Sequence, residues 1–454
     1  MDDERTVPGF EANMDLEELG ASEAVAAIQA GEITSEQLVS ACLARIEAVE
    51  ERVQAWAHLD AEHALRQARE ADAARREGQA LGALHGLPVG VKDIFDTKDM
   101  PTEDGTVLHA GRRPSRDAAA VARLRQAGAV ILGKTVTTEL AVYAPGKTRN
   151  PHDLERTPGG SSSGSAAAVA ANMVPLAIGS QTNGSVIRPA SFCGVYGFKP
   201  SHGLISRHRI LQQSRPLDHV GVFARSVLDC ALAADVLVAH DERDPDTRPQ
   251  TPLALAERAM EEPPLGPLLG FVKSPAWDLA EPATQEAFAE LIEHLGDRVS
   301  EHPLPAAFDE AIDLHRTIME ADLARSFARE YEGGKDQLSA TLREMIERGR
   351  EVRAVAYNDA IDRASVLRGL LGEVFDRVDA IVTPAAVGEA PRGLESTGDP
   401  CFCTIWTLCG MPAISVPLLT GANEMPIGVQ LVGAKGDDAR LLRTARWLER
   451  ALEE

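Results

Sequence analysis

The sequence predicts an α/β fold, a single domain on a mixed, twisted β-sheet covered by helices on both sides. Three observations predict it. Strand and helix signals alternate near both ends of the chain, the middle is helical, and 454 residues at 44% hydrophobic composition can bury a large core. No internal repeat or low-complexity tract stands out. The expected division of residues 1–454 is a helical N-terminal part over 1–80 and a core segment over 86–240. A surface connection over 241–266 follows, then a helical covering segment over 267–375, with strands and a final helix over 376–454.

Each element has a local reason. Thr34 and Gln37 form a capping-box pattern, after which Val39, Cys42, Leu43 and Ile46 fall on one helical face. Residues 60–80 are rich in Ala, Glu and Arg, a solvated helix. An apolar strand at 86–94 precedes a helix at 117–126 with Ala118, Val121 and Leu124 turned inward. A buried strand at 129–132, a helix of small residues at 165–171 and a strand at 174–178 continue the alternation. The polar, proline-punctuated stretch 241–249 reads as a surface connection. Beyond it come a strand at 269–272 and an amphipathic helix at 281–295, striped by Phe288, Leu291, Ile292 and Leu295 and stopped by Gly296. Strands at 380–383, 413–417 and 427–432 precede a last helix carrying Leu441, Ala445, Leu448 and Leu452.

Charge and cysteine usage narrow the function. The formal charge of −23 argues against nucleic acid or an anionic membrane as partner. Cys42, Cys193, Cys230, Cys401, Cys403 and Cys409 contain no Cys-x-x-Cys pair, so buried free thiols in a reducing compartment are expected. Cys401, Cys403 and Cys409 as a soft-metal cluster is the alternative, but the spacing is unusual and no His is near; no metal is expected. The N-terminal stretch Met1 to Arg5 is acidic without an apolar run, which predicts no signal peptide and a cytoplasmic protein. Residues 157–187 hold no charge over 31 positions, yet Gly, Ser, Asn, Gln and Pro175 break the run, so it is not a membrane helix. Residues 128–135 (Gly-Ala-Val-Ile-Leu-Gly-Lys-Thr) match the P-loop pattern letter for letter. Ala129 to Leu132 are unsuited to a phosphate-cradling turn, so the match is accidental.

The charge-free run carries two dense Gly/Ser loops. One, at 158–165 (Pro-Gly-Gly-Ser-Ser-Ser-Gly-Ser), enters the helix of small residues; the other, at 179–185 (Gly-Ser-Gln-Thr-Asn-Gly-Ser), leaves a strand. Small residues let backbone approach a ligand closely and aim N–H groups at a developing anion. A linker or structural turn pair is the alternative reading, but linkers are not flanked on both sides by strand and helix. The loops point to a nucleophile site, and a serine nucleophile needs a base. None of the twelve histidines lies within the run; His85 and His152 are nearest. Lys92 is the other option, because burial in the apolar segment around it would lower its pKa. It could equally be a strand-end surface lysine or the partner of Asp93.

Segments 86–93 (Gly-Leu-Pro-Val-Gly-Val-Lys-Asp), 159–165, 182–190 (Thr-Asn-Gly-Ser-Val-Ile-Arg-Pro-Ala) and 194–200 (Gly-Val-Tyr-Gly-Phe-Lys-Pro) resemble the amidase signature family. The likeness runs from about residue 20 to Gly433. It implies a Ser–cis-Ser–Lys triad that hydrolyses amides through an acyl-enzyme with neither metal nor cofactor. Carried over, Ser185 is the nucleophile, Ser161 the bridging serine in a cis peptide and Lys92 the base; a one-residue shift would put Ser162 in place of Ser161. Backbone N–H groups of Thr182, Asn183, Gly184 and Ser185 would form the oxyanion hole.

This chain departs from most members at Asn183 and Ser180. Asn183 either touches substrate or tolerates an unusual backbone angle. Arg188 stands three residues after the nucleophile, as in malonamidase-like members, and either clamps a substrate carboxylate or is a buried structural arginine. Gln181, Phe402 and Trp406 join Arg188 as candidate substrate contacts, with 401–407 and Gly410 as a wall of the acyl pocket; core packing explains the Phe402–Trp406 spacing as well. The expected activity is hydrolysis of a small-molecule amide, or of a related carbamate or ester, with no nucleic-acid or membrane partner and a homodimer as a possible assembly. The alternatives are a glutaminase-like subunit of a tRNA-dependent amidotransferase and an inactive scaffold, against which the intact Lys92, Ser161 and Ser185 speak.

Overall fold

In the computed structural model the described residues are 15–453, so the acidic N-terminal stretch 1–5 lies outside them. Eleven strands form one mixed sheet. They are β1 (Trp56–Leu59), β2 (Pro88–Lys92), β3 (Val130–Thr135), β4 (Leu176–Gln181), β5 (Tyr196–Lys199), β6 (His219–Ala224), β7 (Leu269–Phe271), β8 (Val299–Glu301), β9 (Ala380–Pro384), β10 (Ala413–Thr420) and β11 (Pro426–Val432). Their order across the sheet is β1-β3-β2-β4-β6-β5-β10-β11-β9-β7-β8. Helices flank the sheet, as the alternation predicts.

Topology places the chemistry. Strand β2 lies between β3 and β4 and is parallel to both, so the three end at the same edge. All five β2 residues are buried, which is why they read as an apolar segment without alternation. Lys92 is the last residue of β2, and Gln181 the last of β4. The helix Ser163–Ala170 packs on β2 and β4 and carries Ser161 and Ser162 just ahead of its first turn.

The predicted capping box forms. Thr34 accepts from the Gln37 N–H at 3.1 Å, and Gln37 accepts from the Thr34 N–H at 2.8 Å, at the head of the helix Ser35–Val53. Residues 128–135 contain β3 and no phosphate loop. Strands β5 and β6, near the sheet centre, were not anticipated by the alternation. Three helices, Ala311–Ser326, Ala340–Glu351 and Ala354–Phe375, share a hydrophobic cluster with Leu140, Ile187, Cys403 and Trp406, so they close over the loop edge of the sheet.

Candidate active site

The site begins with a lysine that water does not reach. Lys92 is fully buried, and its Nζ lies 2.7 Å from Ser161 Oγ, 2.9 Å from Ser180 Oγ and 3.1 Å from Ser162 Oγ. Burial holds its pKa well below the usual lysine value, and the charge of Asp218 only partly opposes that shift. Asp93 is not its partner: that carboxylate pairs with Lys134 at 3.1 Å. Among three hydroxyls, Lys92 can exist as a neutral amine and accept a proton.

Ser185 follows β4 through the loop 182–185. Its Oγ accepts from the Ser161 backbone N–H at 3.0 Å, so Ser161 touches both Lys92 and Ser185. Ser162 instead ties down Ser180, donating to its carbonyl at 3.1 Å and accepting from its N–H at 3.2 Å. The cis peptide expected at Ser161 is not present; no described peptide bond is cis. Trans costs less for a non-proline residue, and Gly159 and Gly160, at φ +84° and +58°, make the turn that brings Ser161 to Ser185.

The N–H groups of Asn183, Gly184 and Ser185 have no acceptor within the described residues. They can face a developing oxyanion. Asn183 keeps a negative φ, which removes the unusual-angle reading. Its side chain donates to the Tyr143 hydroxyl at 2.9 Å and accepts from Thr404 at 2.8 Å.

Three expected substrate contacts belong elsewhere. Gln181 is wholly buried: its oxygen accepts from the N–H groups of Val186 at 2.8 Å and Ile187 at 3.0 Å, and its nitrogen donates to Thr407 at 2.9 Å. These bonds brace the loop 182–185 against the helix Cys401–Leu408. Phe402 and Trp406 lie in hydrophobic clusters, 1% exposed each, because the helix Cys401–Leu408 turns that face into the core. Cys401 and Thr404 of the same helix line a cavity of about 590 Å³, together with Tyr143, Asn183, His315 and Asp399. Gly410 lies against His202, away from that cavity.

Arg188 is buried. Its Nε donates to the Thr397 carbonyl at 2.7 Å and its Nη2 to the Thr397 hydroxyl at 3.3 Å, but Nη1 has no partner. A Cβ on Gly184 would lie 2.6 Å from Nη1, so any larger residue there would displace the guanidinium. Both readings of Arg188 therefore hold some ground: it is braced, and one nitrogen is spare. The six cysteines are buried and unbridged, and no group of ligands suited to a metal ion occurs among the described residues.

The model of the family described as Amidase matches residues 37–442. The chain belongs to the Amidase family. Membership carries hydrolysis of amide C–N bonds with it. Among curated relatives, the A-type chain of glutamyl-tRNA(Gln) amidotransferase from Chloroflexus aggregans is 36% identical over 480 residues, covering 97% of each chain. Among solved structures, 6-aminohexanoate cyclic dimer hydrolase superposes with a TM-score of 0.87 at 30% identity, covering 97% of this chain and 98% of that one. The peptide amidase of Stenotrophomonas maltophilia gives 0.83 at 29% identity, covering 96% and 97%.

These likenesses correct one expectation. The charge of −23 argued against a nucleic-acid partner, yet curated relatives of the amidase include subunits of an enzyme named for a tRNA. A net charge is a sum over the whole surface; it does not constrain what a partner subunit holds or what a local patch meets. No helix among the described residues is long and apolar enough to cross a membrane. Sequence reasoning missed His315, Tyr143 and Asp218. Each is an isolated polar residue far from the motifs, and only the fold brings it to the loop.

Proposed function

We infer that this amidase hydrolyses a carboxamide through a Ser185 acyl-enzyme, serving as the glutaminase-like subunit of a tRNA-dependent amidotransferase. The observation that carries the chemistry is the fully buried Lys92, 2.7 Å from Ser161 Oγ, with Ser161 also bound to Ser185. Neutral Lys92 takes the Ser161 hydroxyl proton. The Ser161 N–H holds the Ser185 oxygen beside it, and the Ser185 proton passes to Ser161 Oγ as Ser185 attacks the amide carbon. The N–H groups of Asn183, Gly184 and Ser185 receive the oxyanion. The relay then runs backwards, giving a proton to the leaving nitrogen, and ammonia departs. Water, deprotonated by the same relay, hydrolyses the ester and restores Ser185.

Full-length likeness to the A-type chains of amidotransferases supports the biological role. The spare Nη1 of Arg188 above Gly184 suits an acyl group bearing a carboxylate. Ammonia release from L-glutamine, measured for the chain alone and with the partner subunits and glutamyl-tRNA, tests this reading. The expected result is stimulation by the complex and complete loss in Ser185→Ala. A second reading, a stand-alone small-molecule amidase, draws on the likeness to the 6-aminohexanoate cyclic dimer hydrolase and the peptide amidase. Rapid turnover of small amides by the chain alone, with no response to partners, would favour it over the first. Arg188→Ala should weaken substrates with a terminal carboxylate more than neutral ones; equal losses would remove the clamp.

A further inference from the structure

The loop 182–185 presents three successive peptide groups, and each has its carbonyl engaged while its N–H is free. The Thr182 carbonyl accepts from His315 Nε2 at 2.9 Å. The Asn183 carbonyl accepts from the Thr407 hydroxyl at 2.6 Å. The Gly184 carbonyl accepts from the Arg188 backbone N–H at 3.0 Å. A carbonyl only accepts, so the His315 proton sits on Nε2. Burial pushes the His315 pKa down to about 4, so near neutrality the ring is uncharged and carries that proton alone.

The carbonyl of one residue and the N–H of the next belong to one planar trans unit and point in opposite directions. Fixing the Thr182 carbonyl therefore aims the Asn183 N–H; fixing those of Asn183 and Gly184 aims the N–H groups of Gly184 and Ser185. A donor on the carbonyl also polarises the unit and strengthens its N–H as a donor. Buried N–H groups left without acceptors are costly, and they persist here because their carbonyls are held from behind.

We propose that His315 and Thr407 are positioning residues that set the oxyanion hole by clamping the Thr182 and Asn183 carbonyls, with Gln181 orienting Thr407. The Gln181 amide donates to Thr407 Oγ1 at 2.9 Å, which leaves the Thr407 proton for the Asn183 carbonyl. His315 comes from the helix Ala311–Ser326 and Thr407 from the helix Cys401–Leu408, two helices in mutual contact. The covering helices thus hold the loop on a stiff support. This inference rests on Ser185 being the nucleophile.

Paired variants test it: Thr407→Val against Thr407→Ser, and His315→Leu against His315→Gln. The readouts are the rate of Ser185 labelling by a fluorophosphonate, and kcat and KM on 4-nitroacetanilide. Deleting an oxyanion donor typically costs about 100- to 1000-fold in kcat, so misaiming one should cost about 10- to 100-fold. Thr407→Val and His315→Leu should lose that much in labelling rate and kcat, with KM within about threefold. Thr407→Ser and His315→Gln, which keep a donor, should recover most of the loss. Wild-type labelling in both Thr407→Val and His315→Leu, or no recovery in either conservative variant, overturns the inference. Labelling that survives Ser185→Ala unchanged would instead overturn the nucleophile on which it rests.

Discussion

Two buried lysines sit at the ends of neighbouring strands, and they are surrounded in opposite ways. Lys92 closes β2 and Lys134 lies in β3, which pairs in parallel with it. Both are 0% exposed. Lys134 faces Asp93 at 3.1 Å, the Phe95 carbonyl at 3.0 Å and Thr102 Oγ1 at 2.6 Å. Lys92 faces only hydroxyls. Burial lowers both pKa values, but Asp93 opposes the shift at Lys134, whereas only the charge of Asp218 opposes it at Lys92. Burial alone does not make a base. What distinguishes Lys92 from Lys134 is the missing counter-ion, and the charge-free loops around it leave it so.

The largest expected effect breaks the pair on the Lys92 side. Lys92→Ala should lower kcat by about 10²–10⁴, the usual range for a lost general base. Wild-type rates at neutral pH would remove Lys92 from the mechanism. The matching change on the other side should act on stability. Lys134→Met leaves Asp93 buried without its cation, which costs about 3–5 kcal/mol in denaturant unfolding. Asp93→Asn combined with Lys134→Met should recover much of that loss. A single Lys134→Met variant as stable as wild type would show that the pair is not a structural one.

Converting one environment toward the other gives a third prediction. Ser180→Asp places a carboxylate beside Lys92, whose Nζ lies 2.9 Å from Ser180 Oγ. The sign follows from the chemistry: the base must be neutral, so activity rises as pH climbs through the Lys92 pKa. A neighbouring anion favours the charged amine and raises that pKa. The acid limb of the kcat/KM profile should move up by one unit or more, and the rate at neutral pH should fall about tenfold. An unmoved acid limb would mean that Lys92 does not control it.

The comparison also explains what the sequence made legible. Lys92, Ser161 and Ser185 lie in contiguous motifs, so a resemblance finds them, and parallel pairing of β2 with β4 brings them together. Which lysine takes Asp93 is a matter of side-chain direction at a strand end, and the one-dimensional pattern left that open. His315 and Thr407 reach the loop from 133 and 224 residues away, and nothing local marks them. Phe402 and Trp406 are four apart on a helix, a spacing common to core and pocket, and the core took them. Strands β5 and β6 escaped because their apolar runs are broken, by Gly197 and Lys199 in the four residues of β5 and by His219 and Gly221 in β6.

The smallest effect separates the two serines nearest the base. Ser161 and Ser162 both contact Lys92, at 2.7 and 3.1 Å, so distance to the amine does not decide which hydroxyl relays the proton. Their other contacts do. Ser161 reaches Ser185 through its N–H, whereas the Ser162 hydroxyl closes a two-way bond with the Ser180 backbone. Ser162→Ala strands the Ser180 N–H and carbonyl in the interior, so it should cost about 1–3 kcal/mol of stability while kcat falls less than tenfold. Ser161→Ala removes the relay oxygen itself and should follow Lys92→Ala in rate instead. If the two alanine variants exchange these outcomes, the relay runs through Ser162, and the one-residue alternative in the motif is the correct register.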